Sequence, residues 1–126
     1  MRDAQRATVR RLLEWIGEPP LEFHHGDCVG ADQQATELAR DLGFRIVRHP
    51  PTEKRLRAWT DYDEDFAPRY YLGRNRDIVN ASHVLIAAPT RMTEEPRSGT
   101  WFTIRFAHDT ETPAILVGPT GRFEVR

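Results

Sequence analysis

The sequence has 126 residues, of which 39% are hydrophobic and 29% charged, and its formal net charge is -1. This length fits a single domain over residues 1–126 that buries a core of its own without a metal or disulfide. The charge argues against a dedicated nucleic-acid-binding module, because such modules depend on a basic surface. The one cysteine, Cys28, excludes an internal disulfide framework, and no apolar run is long enough to span a bilayer. We expect a cytoplasmic protein without a membrane-spanning part.

Helical and strand-like patterns alternate in the first half of the chain. Asp3 is the expected N-cap of a first helix that ends at Gly17. A short apolar stretch at 21–24 follows, and then a second helix that ends at Gly43. The pattern of residues 44–48 predicts a second strand.

The second half continues the alternation after an irregular connection. The pattern of residues 52–68 predicts a functional loop, a lid or a mobile segment, because such long connections without regular structure are uncommon in compact domains. A third helix is expected over 70–80, followed by the most apolar strand at 84–88. A fourth helix begins near Ser98, and residues 114–117 form the last strand.

The predicted order is therefore α-β-α-β-α-β-α-β. Apolar strands that alternate with helices indicate a mostly parallel sheet covered on both faces, which is a Rossmann-like three-layer α/β domain. In open sheets of this kind, ligands bind outside the carboxyl ends of the strands, where loops meet helix N-termini.

The loop after the first strand has the composition of a ligand-binding turn, HGDCVGAD. Gly26 and Gly30 allow a ligand to approach the backbone closely. Asp27 and Asp32 carry carboxylates that can accept hydrogen bonds from ribose hydroxyls. The alternative is that the glycines only shape a tight turn and that Asp32 only caps or charges the start of a helix.

A second candidate loop precedes the fourth helix. Ser98, Gly99 and Thr100 present backbone N–H groups and two hydroxyls at a positive helix end, which is a natural anion site. Arg97 adds a charged fork that suits phosphate. The alternative is that Ser98 is a simple N-cap and Arg97 a solvated side chain.

The third helix supplies two further candidates, Arg74 and Asn75, which face either the ligand cleft or solvent. His24, His25 and Cys28 are residue types that bind zinc, but the chain has no paired CxxC motif. We expect no metal site and no cofactor.

Four motifs, in this order, resemble the SLOG superfamily, which contains the Lonely Guy phosphoribohydrolases and the DNA-processing protein A type proteins. The likeness is closest to its small single-domain bacterial and phage members. The motifs are HGDCVGAD (25–32), RNRDIV (74–79), LIAAP (85–89) and RSGTW (97–101). The resemblance implies a Rossmann-like fold, a homodimer and a nucleotide-derived ligand, in a pocket lined by Gly26, Asp27, Gly30, Asp32, Arg97, Ser98, Gly99 and Thr100.

Two features depart from that family. Its members usually open with a strand before the first helix, whereas this sequence starts at the helix. A central strand and one wall of the pocket are then missing, or are replaced by another segment such as 123–125. Thr103 also stands where Lonely Guy enzymes carry a glutamate that serves hydrolysis. Hydrolysis of that type would have to use Asp27, Asp32, Glu94 or Glu95 instead.

Three functions follow as hypotheses. The first is a sensor or sequestering protein that binds a nucleotide or another small molecule with phosphate and ribose groups. The second is a hydrolase that cleaves the N-glycosidic bond of a nucleotide. The third is a degenerate domain that acts through protein contacts, with its exposed sheet edge completed by a partner or by a second copy of the chain.

Overall fold

The computed structural model describes residues 1–16 and 21–126 of the chain. The chain forms an α/β structure, as predicted. None of the helices in these two ranges is both long enough and apolar enough to cross a membrane. The helices are α1 (Asp3–Ile16), α2 (Ala31–Asp41), α3 (Tyr71–Asn80) and α4 (Gly99–Asp109), and the strands are β1 (Glu22–His25), β2 (Arg45–Arg48), β3 (Glu64–Asp65), β4 (Leu85–Ala87), β5 (Ala114–Val117) and β6 (Phe123–Val125).

The strands form two small sheets. The first has the order β1-β2-β3 and is parallel throughout, with Phe23 opposite Ile46. In the second, of order β4-β5-β6, β4 and β5 are parallel and β6 is antiparallel to β5. Parallel neighbours joined through helices are the arrangement that the alternating sequence pattern predicts.

Two apolar clusters cover β5 on opposite faces. Ile115 and Val117 belong to a cluster that includes residues of α1 and α2, whereas Ala114 and Leu116 belong to a cluster built around Trp101 of α4. This follows from the alternation of side chains along a strand. α1 and α4 therefore lie on opposite faces of β5, and each packs against a further helix, α1 against α2 and α4 against α3.

The helix ends agree in part with the sequence pattern. Asp3 is the first residue of α1 rather than its N-cap, so its carboxylate lies within the first turn of the helix. Gly43 follows α2 with a φ of 86°, the left-handed conformation that glycine adopts most easily after a helix. The predicted end of α1 at Gly17 falls outside the described residues.

Two segments differ from the prediction. The connection at 52–68 is not wholly irregular, since it contains a short 3-10 helix (Lys54–Leu56) and β3, which pairs with β2. The segment Phe123–Val125 forms a strand, but it pairs with β5 at the far side of the second sheet. It therefore does not replace a central strand.

Candidate functional site

A cavity of about 690 Å³ lies between β1 and β4. One part of its wall is apolar and includes Leu13, Phe23, Ile78 and Ile86. The other part, which we call the polar end, lies where loops leave β1 and β4 and enter the helices. The polar end consists of Gly26, Ala31, Asp32, Arg74, Asn75, Gly99 and Thr100.

The two loops singled out from the sequence meet at this cavity. The predicted ligand-binding residues that line it are Gly26, Asp32, Arg74, Asn75, Gly99 and Thr100. The other predicted residues, Asp27, Gly30, Arg97 and Ser98, do not line it. The polar end thus combines the start of α2, the start of α4 and one face of α3.

The starts of α2 and α4 both offer free backbone donors. Within the described part of the chain, the N–H groups of Ala31, Gly99 and Thr100 have no hydrogen-bond partner. Ser98 is the N-cap of α4, because its hydroxyl accepts a hydrogen bond from the N–H of Trp101 at 3.2 Å. Free N–H groups and the helix dipole make such termini favourable for negative charge.

Arg74 is buried and holds other residues of the site through hydrogen bonds. Its side chain is buried, with 4% of the residue exposed, although arginines on a helix are more often solvated. The guanidinium donates to the carbonyl oxygens of Gly26 and His49, to Oδ1 of Asn75 at 2.7 Å and to the sulfur of Cys28 at 3.5 Å. Arg74 therefore joins α3 to the loop that follows β1.

The small size of Gly26 is required by its own neighbours. A Cβ atom at this position would lie 2.6 Å from Nη1 of Arg74 and 2.8 Å from Oδ2 of Asp32. The same oxygen of Asp32 accepts a hydrogen bond from the N–H of Cys28 at 3.2 Å. Asp32 thus holds the loop and also presents a carboxylate at the cavity wall.

Asp27 has a different role from the one the sequence suggested. The residue is fully buried, and its carboxylate accepts hydrogen bonds from Nε of Arg57 and from the N–H and hydroxyl of Thr60, each at 2.9 Å. Burial opposes ionisation, but these hydrogen bonds lower the pKa of Asp27 below its usual value. Asp27 therefore fastens the loop after β1 to residues 57–60.

His25 is a site residue that the sequence analysis did not single out as a ligand contact. Its Nδ1 accepts a hydrogen bond from the N–H of Asp27 at 3.0 Å, and burial lowers the pKa of the imidazole. The neutral ring then carries its proton on Nε2. This leaves a buried N–H group without a partner among the described residues, in a residue that lines the cavity.

The candidate catalytic carboxylates are scattered. Of Asp27, Asp32, Glu94 and Glu95, only Asp32 lines the cavity. Asp27 is buried and hydrogen-bonded elsewhere, and Glu94 forms an ion pair with Arg105 at 2.9 Å. Thr103, which stands in place of the glutamate, does line it, and its hydroxyl donates to the carbonyl of Gly99 at 2.9 Å.

The polar end therefore brings together backbone N–H groups, a side-chain amide and one carboxylate. Such donors suit an anion, and the carboxylate suits a hydroxyl group next to it. No family model, curated protein or solved structure matches the chain, so the resemblance to the SLOG superfamily stays a prediction from its four motifs.

Proposed function

We propose that the chain binds a small molecule carrying phosphate and ribose groups at the polar end of the cavity between β1 and β4. One observation carries this proposal. The unpartnered N–H groups at the starts of α2 and α4 line the same cavity. Each helix N-terminus carries about half a positive charge, so two of them at one site favour a phosphate group.

The side chains of the polar end would contact different parts of the ligand. Oδ1 of Asn75 is occupied by Arg74, so the Asn75 amide has its NH2 group available as a donor. The carboxylate of Asp32 repels a phosphate but accepts hydrogen bonds from ribose hydroxyls. We therefore assign the phosphate to the helix starts and the ribose to the side of Asp32.

The arrangement of the two sheets supports a Rossmann-like fold. If β1 and β4 belong to one layer, the order of its strands is β3-β2-β1-β4-β5-β6, with α1 and α2 on one face and α3 and α4 on the other. The direction of the chain across such a layer reverses between β1 and β4. Open α/β sheets bind their ligands at this switch point, beyond the carboxyl ends of the strands.

Thermal unfolding of the purified chain with millimolar AMP, NAD, ADP-ribose or inorganic phosphate tests the proposal. At least one nucleotide is expected to raise the midpoint, since a ligand at 100 times its Kd stabilises a protein by about 2.7 kcal/mol. Adenosine and free ribose are the controls that lack phosphate. A panel that leaves the midpoint unchanged contradicts the proposal.

The same samples separate binding from hydrolysis. A sensor or sequestering protein leaves the nucleotides intact, which chromatography of the ligand after incubation measures. Release of free base that disappears in Asp32→Asn would instead assign the N-glycosidic hydrolase, since Asp32 is the candidate carboxylate at the cavity wall.

A further inference from the structure

Trp59 and Tyr62 are exposed aromatic residues in the connection between β2 and α3. Trp59 is 57% exposed and Tyr62 is 49% exposed. Apolar side chains scattered singly over a surface are normal, but two large rings so close in the chain form a patch of the kind that marks interaction sites. We call Trp59, Asp61 and Tyr62 the aromatic surface.

Each of the two rings has one face covered by a buried guanidinium. Cζ of Arg57 lies 3.8 Å from the centroid of the Trp59 ring, and Cζ of Arg48 lies 4.2 Å from the centroid of the Tyr62 ring. The side chains of Arg57 and Arg48 are 8% and 9% exposed. Since both aromatic residues are nevertheless about half-exposed, the opposite face of each ring is open to solvent.

Carboxylates hold both guanidinium groups in place. Nε of Arg57 donates to the buried carboxylate of Asp27 at 2.9 Å. Nε and Nη2 of Arg48 donate to the two oxygens of Asp65, each at 2.8 Å, and Nη1 donates to the carbonyl of Thr60 at 2.6 Å. The fixed guanidinium groups in turn hold the rings, so the rings lose little conformational freedom when a partner binds.

The backbone of Trp59 has a conformation that tryptophan rarely adopts. Its φ is 55°, in the left-handed region. Hydrogen bonds on either side maintain this conformation, because the N–H of Ala58 donates to the carbonyl of Asp27 at 2.8 Å and the N–H of Thr60 donates to the Asp27 carboxylate at 2.9 Å. Backbone strain of this kind persists where the surroundings impose it, and it clusters at functional sites.

The aromatic surface carries one negative charge that the fold does not use. Residues 59–65 contain four acidic residues and no basic one. Three of the four carboxylates are already bound within the fold, those of Asp63, Glu64 and Asp65. Asp61 is exposed and has no ion-pair partner in the part of the chain that the structure describes. The surface therefore attracts a cationic group and repels a polyanion such as single-stranded DNA.

We propose that the aromatic surface binds an extended proline-rich segment of another protein, with an arginine next to the prolines. Proline rings pack against exposed aromatic rings, and a polyproline II helix is already extended before it binds. The open faces of Trp59 and Tyr62 contact the prolines, and the carboxylate of Asp61 accepts hydrogen bonds from the arginine. Neither ring lines the cavity between β1 and β4, so this inference does not depend on the proposed ligand.

Fluorescence anisotropy with synthetic peptides tests the proposal. The probe is a labelled peptide with an arginine at each end of a run of prolines. One control peptide has glutamates in place of the arginines, and the other has a Gly/Ser run in place of the prolines. The probe is expected to bind saturably, and each control peptide should bind at least about tenfold more weakly.

Variants of the aromatic surface separate contact from folding. Trp59→Ala should weaken binding of the probe by about tenfold or more, because aromatic residues carry much of the affinity of an interface. Trp15→Ala is the matched control, since Trp15 is an exposed tryptophan of α1. Asp61→Asn should also weaken binding of the probe, while urea unfolding stays unchanged because Asp61 loses no partner. It keeps the proposal testable if Trp59→Ala does not fold.

Any of the following results overturns the proposal. The probe does not bind at up to about 1 mM, or the glutamate peptide binds as tightly as the probe. Trp59→Ala and Trp15→Ala bind the probe equally well. Labelled oligo-dT binds more tightly than the probe, which assigns the surface to nucleic acid. Sedimentation shows self-association that Trp59→Ala abolishes, which assigns the surface to a second copy of the chain.

Discussion

Nε of Arg74 donates a hydrogen bond of 2.7 Å to Oδ1 of Asn75, and this contact fixes which end of the Asn75 amide is free. Arginine has no acceptor, so the amide oxygen must face the guanidinium. The NH2 group of Asn75 then remains as a donor in a residue that lines the cavity. Arg74 thereby determines that Asn75 acts as a hydrogen-bond donor towards the cavity.

Asn75→Asp should remove ligand binding without unfolding the protein. The carboxylate keeps an acceptor for Arg74 but replaces the donor with negative charge, so affinity for a phosphate-bearing ligand should fall at least about tenfold, which is about 1.4 kcal/mol. Calorimetric titration with the best nucleotide of the thermal panel measures this. Arg97→Ala is the matched control, because Arg97 is exposed and does not line the cavity. The reverse result, binding lost in Arg97→Ala and kept in Asn75→Asp, would place the ligand outside the cavity.

Alanine should have opposite effects at two glycines of the polar end. Gly26→Ala brings a methyl group within 2.8 Å of Arg74 and Asp32, and overpacking of this kind costs about 1–3 kcal/mol. At Gly99 the nearest atoms lie 3.7 Å and 3.9 Å away, in Tyr71 and Asn75. Gly99→Ala should therefore be neutral or stabilise by up to about 1 kcal/mol. Urea unfolding without ligand measures both, and equal costs would refute the packing argument.

Asp27 should matter for stability rather than for ligand contact. Asp27→Ala leaves Arg57, whose side chain is 8% exposed, without its carboxylate, and breaking a buried ion pair costs about 3–5 kcal/mol. Asp27→Asn keeps an acceptor for Thr60 and should cost less, so it serves where the alanine variant does not fold. Urea unfolding gives the cost, and titration of folded Asp27→Asn should give nearly unchanged ligand affinity. A stable variant that has lost its ligand would make Asp27 a ligand residue.

Much of the fold can be predicted from apolar periodicity. The four helices and the strands β1, β2, β4 and β5 follow from it, with boundaries close to those observed. The short elements do not: β3 has only two residues, and β6 is exposed along its whole length, so neither has a periodic pattern to detect.

The sequence predicts the two loops of the site but not the side-chain contacts within it. Glycines after an apolar strand and a polar helix start locate the ligand edge, and both loops do reach one cavity. The partners of Asp27 are 30 and 33 residues away in an irregular segment, so nothing in the local sequence predicts that Arg57 and Thr60 occupy its carboxylate. The burial of Arg74 likewise depends on carbonyls from two distant loops.

Stability should fall as the solution becomes acidic, because of a buried histidine pair. Nδ1 of His24 lies 2.8 Å from Nε2 of His49, which stacks on Phe66. Burial and the neighbouring His24 lower the pKa of His49 from 6.5 to about 4. Between these values the unfolded chain binds more protons than the folded chain, so the free energy of unfolding decreases as pH falls, with a slope of up to about 1.4 kcal/mol per pH unit for this residue.

Urea unfolding between pH 7 and pH 4 measures this slope. His49→Gln should flatten it, since glutamine keeps hydrogen-bonding capacity near His24 without a charge to gain. Part of the slope should remain, because burial also lowers the pKa of His25. Asp27, whose pKa lies below the usual value, loses its contribution only at lower pH. Stability that rises on acidification would contradict this account of the pair.

Backbone amide shifts during a ligand titration test the central claim most directly, because the claim rests on free N–H groups at two helix starts. ADP-ribose, added to the isotope-labelled chain, should shift the amides of Ala31, Gly99 and Thr100 together along one saturating curve. Unchanged shifts at these three residues, or changes confined to the basic surface at Lys54–Leu56, would contradict a phosphate site between α2 and α4.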